Sequence, residues 1–284
     1  WLFGLPRQPG LAFATRDYET EQPAELTLAA RFILDELGIE VEEPEAEHLD
    51  RLIERFGTTF PTTRDMSELA RRSLSGEVDA RADADEALIR WLEREEALFR
   101  RLERRVVSTR LEEGFLREGA VDVDGFISFS LSVQNRRKSR MGHSFENHLE
   151  EVFTTHGIRY RRGARTEKKA RPDFLFPGEA EYHNPAFPSG LLTMLGAKST
   201  CKDRWRQVLY EAQRIEAKHL ATLEPGISRD QTDEMRDHRL QLVLPRSLHA
   251  SYLDEQQADL LDLAGFLNLA LKRQRATGDC TKGH

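Results

Sequence analysis

The sequence predicts an α/β protein in which a mixed central sheet is flanked by helices and preceded by a helical N-terminal extension. Three short apolar segments have the length and composition of buried strands: RPDFLFP (171–177), LLTMLGAKS (191–199) and LQLVLP (240–245). Segments with helical periodicity lie between and around them. This alternation is typical of a sheet that is covered by helices on both faces.

The N-terminal part of the chain is predicted to be partly helical. A Gly- and Pro-rich lead-in precedes two short amphipathic helices between Pro23 and Gly57. We assign residues 1–60 to a linker or the remnant of a preceding domain, and residues 61–284 to the main domain. Because the chain opens at Trp1 rather than Met, we expect a further segment upstream.

Two more helices are expected before the first strand. Asp65 is the predicted N-cap of one, with Glu68 three residues later as in a capping box. Residues 85–115 form the other, a long charged helix. Its apolar positions make a stripe that we expect to be buried: Leu88, Trp91, Leu92, Leu98, Leu102 and Val106.

After residue 140, helices alternate with the three strands. The predicted helices are FENHLEEVFTTHG (145–157), CKDRWRQVLYEAQRIEAKHL (201–220) and ADLLDLAGFLNLALKR (258–273). The second of these follows directly on the strand that ends at Lys198, so we expect it to start near the C-terminal end of that strand.

Composition limits the class of protein. With 39% hydrophobic and 32% charged residues among 284, the chain can bury a substantial core beneath a heavily charged surface. No stretch approaches the roughly 18 apolar residues that span a bilayer, and no signal peptide opens the chain, which favours a cytoplasmic location. Cys201 and Cys280 are too few for a disulfide framework or a four-ligand zinc site.

Positive charge is concentrated in one segment of an acidic chain. The formal net charge is −7, yet residues 136–171 contain eleven basic residues and only four acidic ones. Such a cluster suits the neutralisation of phosphates in a nucleic acid. The alternative is an ordinary solvated basic surface, and charge alone does not decide between the two.

Charged side chains at the ends of the predicted strands are the candidates for chemistry. Asp173 opens one apolar strand, where a carboxylate can be held rigidly as a metal ligand. Lys198 ends the next, and an ammonium group there can position water and stabilise developing negative charge. Glu211 lies at the border of the buried face of the following helix, where an unpaired acid is costly. The alternative for Glu211 is an ion pair with Arg204 or Arg214.

Several ordered stretches resemble a known family. The catalytic domain of EcoRII-type restriction endonucleases, related to PspGI and the CCGG-cutting enzymes, is similar to LSVQNRRKSRMGHSFENHLEEVF (131–153), RPDFLFP, LTMLGAKSTCKDRWRQVLYEAQRI (192–215) and HLATLEPGISRDQTDEM (219–235). The resemblance spans roughly residues 60–275 and implies the restriction-endonuclease-like PD-(D/E)xK fold. Gly196 departs from this pattern, because it occupies the acidic position before Lys198. In this group the missing acid comes from the helix after the lysine strand, where Glu211 lies.

The resemblance implies a Mg²⁺-dependent type II restriction endonuclease that hydrolyses double-stranded DNA at a short specific site, of CCWGG type. Asp173 and Glu211 would bind the metal, a hard cation that favours oxygen ligands, and Lys198 would assist the attacking water. Glu146 matches an outlying acid of the family site and would complete the metal's ligand shell or orient a ligand. Its alternative is an ordinary surface glutamate.

DNA recognition is implied by the same resemblance. Lys202, Asp203 and Arg204 correspond to a triplet that contacts the outer C·G pairs, with solvation of a helix end as the alternative. A homodimer would read the two halves of the site.

Flipping of the central bases is also implied. The pocket would draw on the long helix, with Phe99, Arg100 and Arg104 as candidates. A cognate cytosine methyltransferase would be a functional rather than a physical partner.

The resemblance also bears on residues 1–60. The EcoRII type carries an additional N-terminal DNA-binding effector domain, and these residues would be its linker or remnant. Without that domain we expect cleavage at single sites. Two alternatives remain open: a methylation-dependent endonuclease of the same fold, and a catalytically inactive DNA-binding protein. Intact Asp173, Lys198 and Glu211 argue against the second.

Overall fold

The protein is described here from a computed structural model that covers residues 45–201 and 204–280. Its helices are α1 (Ala46–Ile53), α2 (Thr63–Ser73), α3 (Ala84–Glu113), α4 (Val123–Thr155), α5 (Glu179–His183), α6 (Trp205–Leu209), α7 (Arg229–Asp237), α8 (Arg246–His249), α9 (Asp254–Gln257) and α10 (Leu263–Cys280). Its strands are β1 (Leu116–Arg117), β2 (Ala120–Val121), β3 (Arg161–Arg162), β4 (Phe174–Phe176), β5 (Thr193–Lys198), β6 (Lys218–Thr222) and β7 (Leu240–Val243). The expected helix before Gly38 lies outside the described residues.

The central sheet is mixed, as expected. Its strand order is β3-β4-β5-β6-β7, while β1 and β2 form a separate antiparallel hairpin. The pairings of β3 with β4 and of β4 with β5 are antiparallel, and those of β5 with β6 and of β6 with β7 are parallel. Phe174 pairs with Leu195, so the start of β4 lies beside the C-terminal end of β5.

The two faces of the sheet carry different helices. Side chains alternate between the faces along each strand. On one face, Phe174 of β4 packs against Phe153 of α4 with ring centroids 5.1 Å apart, and Phe266 of α10 joins the same aromatic cluster. On the other face, Gly196 of β5 lies against Val208 of α6. Helices on both faces bury the sheet, as the apolar strands require.

The helices before the sheet form a smaller core. Leu49 and Ile53 of α1 and Met66 of α2 pack with Leu98 and Leu102 of α3. The N-terminal half of α3 belongs instead to the main core under the sheet. All six residues of the predicted α3 stripe are buried, which confirms that prediction. The long helix thus joins the two cores.

One predicted helix is wrong over most of its length. The segment 201–220 forms only the short helix α6, and Lys218 to Thr222 is the strand β6 at the centre of the parallel part of the sheet. The helix ends because Ala212 takes a left-handed backbone conformation (φ 46°) and the Lys218 ammonium binds the carbonyl oxygens of Leu209 and Glu211. The segment shows an apparent helical period because it contains buried residues of both a short helix and a strand.

Two helix starts also differ from expectation. Thr62, not Asp65, is the N-cap of α2, because its hydroxyl accepts a hydrogen bond of 3.1 Å from the Asp65 amide. The last helix begins at Leu263 rather than at residue 258. Residues 258–259 form a turn, and Leu261 bridges to Val243 of β7.

A buried polar cluster joins α3 to α4. The Glu95 carboxylate and the His148 imidazole are fully buried and lie 3.0 Å apart. Arg71, which can only donate, lies 3.2 Å from Nδ1 of His148, so the ring proton is on Nε2 and faces Glu95. Burial holds the pKa of His148 below its usual value. Burial alone would raise the pKa of Glu95, but His148, the Ser144 hydroxyl and Arg140 hold it below its usual value.

The described residues include no helix that is both long and apolar enough to cross a membrane. Cys201 is buried, and burial raises the pKa of its thiol to about 12, so this cysteine is a packing residue.

We expect Glu95→Ala to destabilise the protein strongly. The substitution removes the carboxylate that faces the buried His148 imidazole and accepts from the Ser144 hydroxyl, whereas Arg140 keeps its pairing with Glu96. Each buried polar group that is left without a partner costs about 1–3 kcal/mol. Urea denaturation measures the change in the free energy of unfolding. Glu112→Ala, at an exposed site on the same helix, is the control and should change it by less than about 0.5 kcal/mol. Equal effects of the two substitutions would show that the cluster does not hold α3 to α4.

Candidate active site

Asp173 and Lys198 meet where β4 begins and β5 ends. Asp173 precedes Phe174 by one residue, so its side chain lies on the opposite face from the aromatic cluster, which is the face that α6 covers. Its Oδ2 accepts hydrogen bonds from the Ala197 amide (2.7 Å) and from the Lys198 ammonium (2.8 Å). Both side chains are about one-fifth exposed. The two predicted residues are therefore held together in a fixed orientation and remain within reach of solvent.

Gly196 allows α6 to lie directly on the sheet. A Cβ atom at this position would be 2.9 Å from Cγ2 of Val208 and 3.4 Å from Leu220 of β6. An acidic side chain at position 196 would therefore occupy the space that α6 fills. The lack of an acid at this position has a physical reason, because position 196 is the contact point of the helix that leads to Glu211.

Glu211 follows α6 in a turn and joins Asp173 and Lys198. It is half-buried, and its Oε2 has no hydrogen-bonding partner among the described residues. Burial, together with the negative charge of Asp173, raises the pKa of Glu211 to about 7, while Lys198 and Lys218 act in the opposite direction. Two carboxylates that face each other without sufficient cationic compensation make a site that favours a bound cation.

Arg204 and Arg214, the two alternative partners expected for Glu211, donate hydrogen bonds to other groups. Arg204 donates to the carbonyl and the hydroxyl oxygen of Thr200, at 2.8 and 2.9 Å. Arg214 donates to the backbone carbonyl oxygens of Tyr182 and Phe187. Glu211 is therefore oriented by the turn that carries it, and its placement on the face of a long helix was wrong.

Sequence reasoning missed the residues that fix this turn. The Lys218 ammonium binds the Leu209 carbonyl oxygen at 2.7 Å and also that of Glu211. From the loop before Asp173, Thr166 accepts from the Ala212 amide at 3.4 Å, and Glu167 accepts from the Gln213 amide at 3.2 Å. A lysine at the start of an otherwise apolar strand was the one available signal, because burial of an ammonium group demands acceptors.

Tyr182 of α5 anchors the same loop. Its hydroxyl donates to the Glu167 carboxylate at 2.5 and 2.6 Å, and it accepts from the Arg214 amide at 3.3 Å. The loop that leads to Asp173 and the turn that carries Glu211 are therefore joined by direct hydrogen bonds, so the two carboxylates keep a fixed relation to each other.

Glu146 of α4 has a partner other than Asp173, Lys198 and Glu211. It accepts from Arg162 of β3 at 2.7 and 3.1 Å, and Arg162 also contacts Asn147 and Glu150. Among residues 45–201 and 204–280, no group of three His, Cys, Asp or Glu side chains could hold a metal ion. The structure thus brings the carboxyl groups of Asp173 and Glu211 together, whereas Glu146 pairs with Arg162.

The predicted DNA-contacting residues are only partly described. Arg204 is exposed at the start of α6, whereas Lys202 and Asp203 lie outside the described residues. Phe99 is buried, with its ring 5.7 Å from that of Phe60 and under the Arg140 guanidinium at 4.3 Å.

The other two candidates for the flipped-base pocket lie on the next turn or two of α3. Arg100 is half-buried and pairs with Glu96 at 2.7 Å, and Arg104 is exposed. A base that stacks on Phe99 would have to displace Phe60 or Arg140. The accessible side chains of this predicted pocket are therefore those of Arg100 and Arg104.

The basic segment 136–171 divides into two parts. Arg137 and Arg140 contact acids of α3, and Arg162 contacts acids of α4, so these side chains stabilise the fold. The loop from β3 to β4 is different, because its basic side chains are exposed: Arg165, Lys168, Lys169 and Arg171. This basic loop leads directly into Asp173.

We expect Gly196→Ala to weaken both folding and any activity of the site. The added methyl group would overlap with Val208, and overpacking of this kind costs about 1–3 kcal/mol. Thermal unfolding and catalytic rate are the measurements. Val208→Ala in the same chain should restore part of the loss, because it removes the atoms that clash. Gly142→Ala is the control: its Cβ would meet nothing, and a glycine inside a helix gains up to about 1 kcal/mol on replacement by alanine. A Gly196→Ala protein as stable and active as the parent would contradict the account.

Comparison with known proteins identifies relatives. The chain is 40% identical over 231 residues to the type II restriction enzyme EcoRII of Escherichia coli, an alignment that covers 81% of this chain and 55% of that protein. This chain therefore spans about half the length of that relative.

Two solved structures have the same fold. The complex of restriction endonuclease PspGI with substrate DNA gives a TM-score of 0.61 at 16% identity and covers 76% of this chain and 94% of that one. Metal-depleted Ecl18kI in complex with uncleaved DNA gives 0.64 at 19% identity, with coverages of 82% and 86%. The expected restriction-endonuclease-like fold is confirmed.

The family itself is established by a match over more than half of the chain. The model described as EcoRII C terminal matches residues 99–267, which include Asp173, Lys198 and Glu211. The chain belongs to the EcoRII C-terminal family.

Proposed function

We propose that this chain is the catalytic part of a type II restriction endonuclease, which hydrolyses phosphodiester bonds of double-stranded DNA at a short specific site with Mg²⁺. The observation that carries the proposal is the pairing of Asp173 with Glu211 beside Lys198, next to the exposed basic loop. Family membership and the 40% identity to EcoRII support the same activity.

The side chains fit a hard divalent cation. Asp173 and Glu211 offer carboxylate oxygens, and the buried Glu211 Oε2 lacks a hydrogen-bonding partner among the described residues. When bound, Mg²⁺ polarises a phosphoryl oxygen and makes water a better nucleophile at neutral pH. These two residues would hold the ion, and Glu146 would act through Arg162, which it orients beside the start of β4.

Lys198 is the residue we assign to the reacting groups. Its ammonium is held at 2.8 Å from Asp173, so its position is fixed before substrate binds. A fixed positive charge there stabilises negative charge that develops on the phosphate and can orient the attacking water. The basic loop neutralises neighbouring phosphates and keeps the scissile bond at the ends of β4 and β5.

Sequence recognition is proposed to come from the start of α6. Arg204 follows Lys198 by six residues, so the reading side chains and the catalytic lysine lie on one short segment. Lys202, Asp203 and Arg204 have the donor and acceptor groups that read C·G pairs, which fits a CCWGG-type site. Flipping of central bases towards Phe99, Arg100 and Arg104 stays a prediction.

The proposal implies particular partners. Cleavage of both strands of a two-fold symmetric site requires two catalytic centres, and each chain supplies one, so we propose a homodimer. Protection of host DNA requires a cognate cytosine methyltransferase as a functional partner. Because the enzyme would meet unprotected DNA inside the cell, the proposed location is the cytoplasm.

The direct test compares the parent protein with Lys198→Ala on a CCAGG-containing duplex and a scrambled duplex in the presence of Mg²⁺. We expect only the specific duplex to be cut, and the substitution to lower the rate roughly 100- to 1,000-fold. Lys272→Ala, at an exposed site on α10, is the matched control and should cut like the parent. A third duplex with methylated cytosines completes the set. Specific binding without cutting would indicate a DNA-binding protein, and cutting of the methylated duplex alone would indicate a methylation-dependent enzyme.

The basic loop gives a second prediction. Replacing Arg165 and Arg171 with Gln should weaken binding to specific and scrambled duplexes alike, because these exposed side chains meet phosphates rather than bases. The slope of log K against log salt concentration should become less negative by about 0.9 for each phosphate contact that is lost. Fluorescence anisotropy at several salt concentrations measures this slope, with Lys272→Ala as control. An unchanged slope would place the DNA on another surface.

A further inference from the structure

The two central strands of the sheet continue side by side beyond their last paired residues. Lys198, the last residue of β5, is paired with Thr222 of β6. One residue further along both chains, the Leu223 amide still donates to the Ser199 carbonyl oxygen, at 3.3 Å. Residues that follow β6 are therefore in a position to fix residues that follow β5.

Cys201 is the fixed point of the chain after β5. Its side chain is fully buried, and its amide donates to the Glu224 carboxylate at 2.9 Å. Its carbonyl oxygen accepts from the Arg204 amide, also at 2.9 Å. A buried amide needs an acceptor, and here a side chain supplies it in place of a neighbouring strand. A hydrogen bond to a carboxylate is stronger than one to a neutral carbonyl group, so this contact is a firm one.

The contacts of Cys201 bracket the triplet that is proposed to read the DNA site. The triplet consists of residues 202–204, which follow Cys201 directly. Arg204 ties its far end, because the Arg204 amide binds Cys201 and the guanidinium donates to the carbonyl and hydroxyl oxygens of Thr200 at 2.8 and 2.9 Å. The position of the triplet therefore depends on that of Cys201.

Glu224 is presented by a loop that is itself anchored. The Tyr252 hydroxyl donates to the Glu224 carbonyl oxygen at 2.6 Å, and the Gln256 side chain donates to the Ile227 carbonyl oxygen at 3.0 Å. Tyr252 and Gln256 are both buried. The backbone on which Glu224 stands is thus held from the C-terminal part of the domain, and its carboxylate transmits this fixed position to Cys201.

We infer that Glu224 is a positioning residue for sequence recognition: it holds Cys201, and through it residues 202–204, in the place from which they read base pairs. The inference rests on the proposed function, because it concerns the reading of a specific site. A preorganised reader loses less conformational freedom on binding, and a displacement of about 1 Å is enough to impair a well-oriented contact. Glu224 needs no contact with DNA for this role.

The competing explanation is that Glu224 only stabilises the fold. Its loss would then lower the amount of folded protein, and binding to every duplex would fall by the same factor. A positioning role lowers binding to the specific duplex alone, because phosphate contacts carry no sequence information. The ratio of specific to non-specific affinity therefore separates the two roles.

The test compares the parent with Glu224→Ala and Glu224→Gln in binding to a CCAGG duplex and a scrambled duplex. Fluorescence anisotropy measures both affinities in Ca²⁺, a hard cation that takes oxygen ligands as Mg²⁺ does. We expect Glu224→Ala to lower the affinity ratio roughly 10- to 100-fold, the loss of about one base-reading contact. Glu224→Gln keeps an acceptor for the Cys201 amide and should retain most of the ratio. Glu216→Ala, at an exposed glutamate before β6, is the control and should match the parent.

Hydrogen exchange in the free protein tests the contact itself. Exchange of the Cys201 amide should be faster in Glu224→Ala than in the parent, because its acceptor is gone, and close to the parent rate in Glu224→Gln. Amides in the buried half of α4 should exchange alike in all three proteins, which shows that the fold is intact.

The outcomes separate this inference from the proposed function. An unchanged affinity ratio in Glu224→Ala, an equal loss of the ratio in Glu224→Gln, or a uniform loss on both duplexes would overturn the inference and leave the proposed function standing. A parent that distinguishes the duplexes but cuts neither in Mg²⁺ would refute the proposed function, and the affinity ratio would still decide the role of Glu224. A parent that binds both duplexes equally would overturn both.

Discussion

The carboxyl groups of Asp173 and Glu211 share one partly buried edge of the sheet, and burial, together with the negative charge of Asp173, raises the pKa of Glu211 to about 7. Several neighbouring contacts hold these two carboxyl groups close together in spite of their mutual repulsion. Lys198 binds Asp173, Lys218 binds the backbone of the Glu211 turn, and Thr166 ties that turn to the loop before Asp173. A divalent cation held by both carboxylates, as proposed, would offset this repulsion.

Gly196 connects the fold to this chemistry. In a motif that places the acid on the lysine strand, the side chain at 196 would itself be the ligand. Here a Cβ at that position would meet Val208 at 2.9 Å, so the close approach of α6 and an acid on β5 exclude each other. The second carboxylate of the proposed metal site is instead that of Glu211, which follows α6 in a turn.

The sequence predicts the parts of this structure that depend on local pattern. Asp173 and Lys198 could be placed because each terminates an apolar strand, and the stripe on α3 could be placed because it follows a helical period. β6 could not, because its apolar residues continue the periodicity of the preceding helix, and only the contacts of Lys218 end that helix. The hydrogen bond between Glu167 and Tyr182 could not be predicted either, because it joins segments that local sequence patterns do not relate.

Kinship and geometry contribute differently to the site. Resemblance to the family predicted Glu211 as a site residue. The structural reason given for it, a position on the face of a long helix, was wrong. The structure replaces that reason with a turn fixed by backbone hydrogen bonds. It also shows Glu146 in an ion pair with Arg162 and Phe99 between Phe60 and Arg140, and the roles expected for both residues stay predictions.

The most direct test of the central claim is calorimetric titration of Mg²⁺ into the complex of Lys198→Ala protein with a CCAGG duplex, because this variant is expected not to cut but keeps both carboxylates. The account predicts that adding Glu211→Gln abolishes Mg²⁺ binding, whereas adding Glu216→Gln, at an exposed glutamate five residues later, leaves it unchanged. Mg²⁺ binding that is equally strong with and without the Glu211 carboxylate would contradict the claim that Asp173 and Glu211 form the metal site.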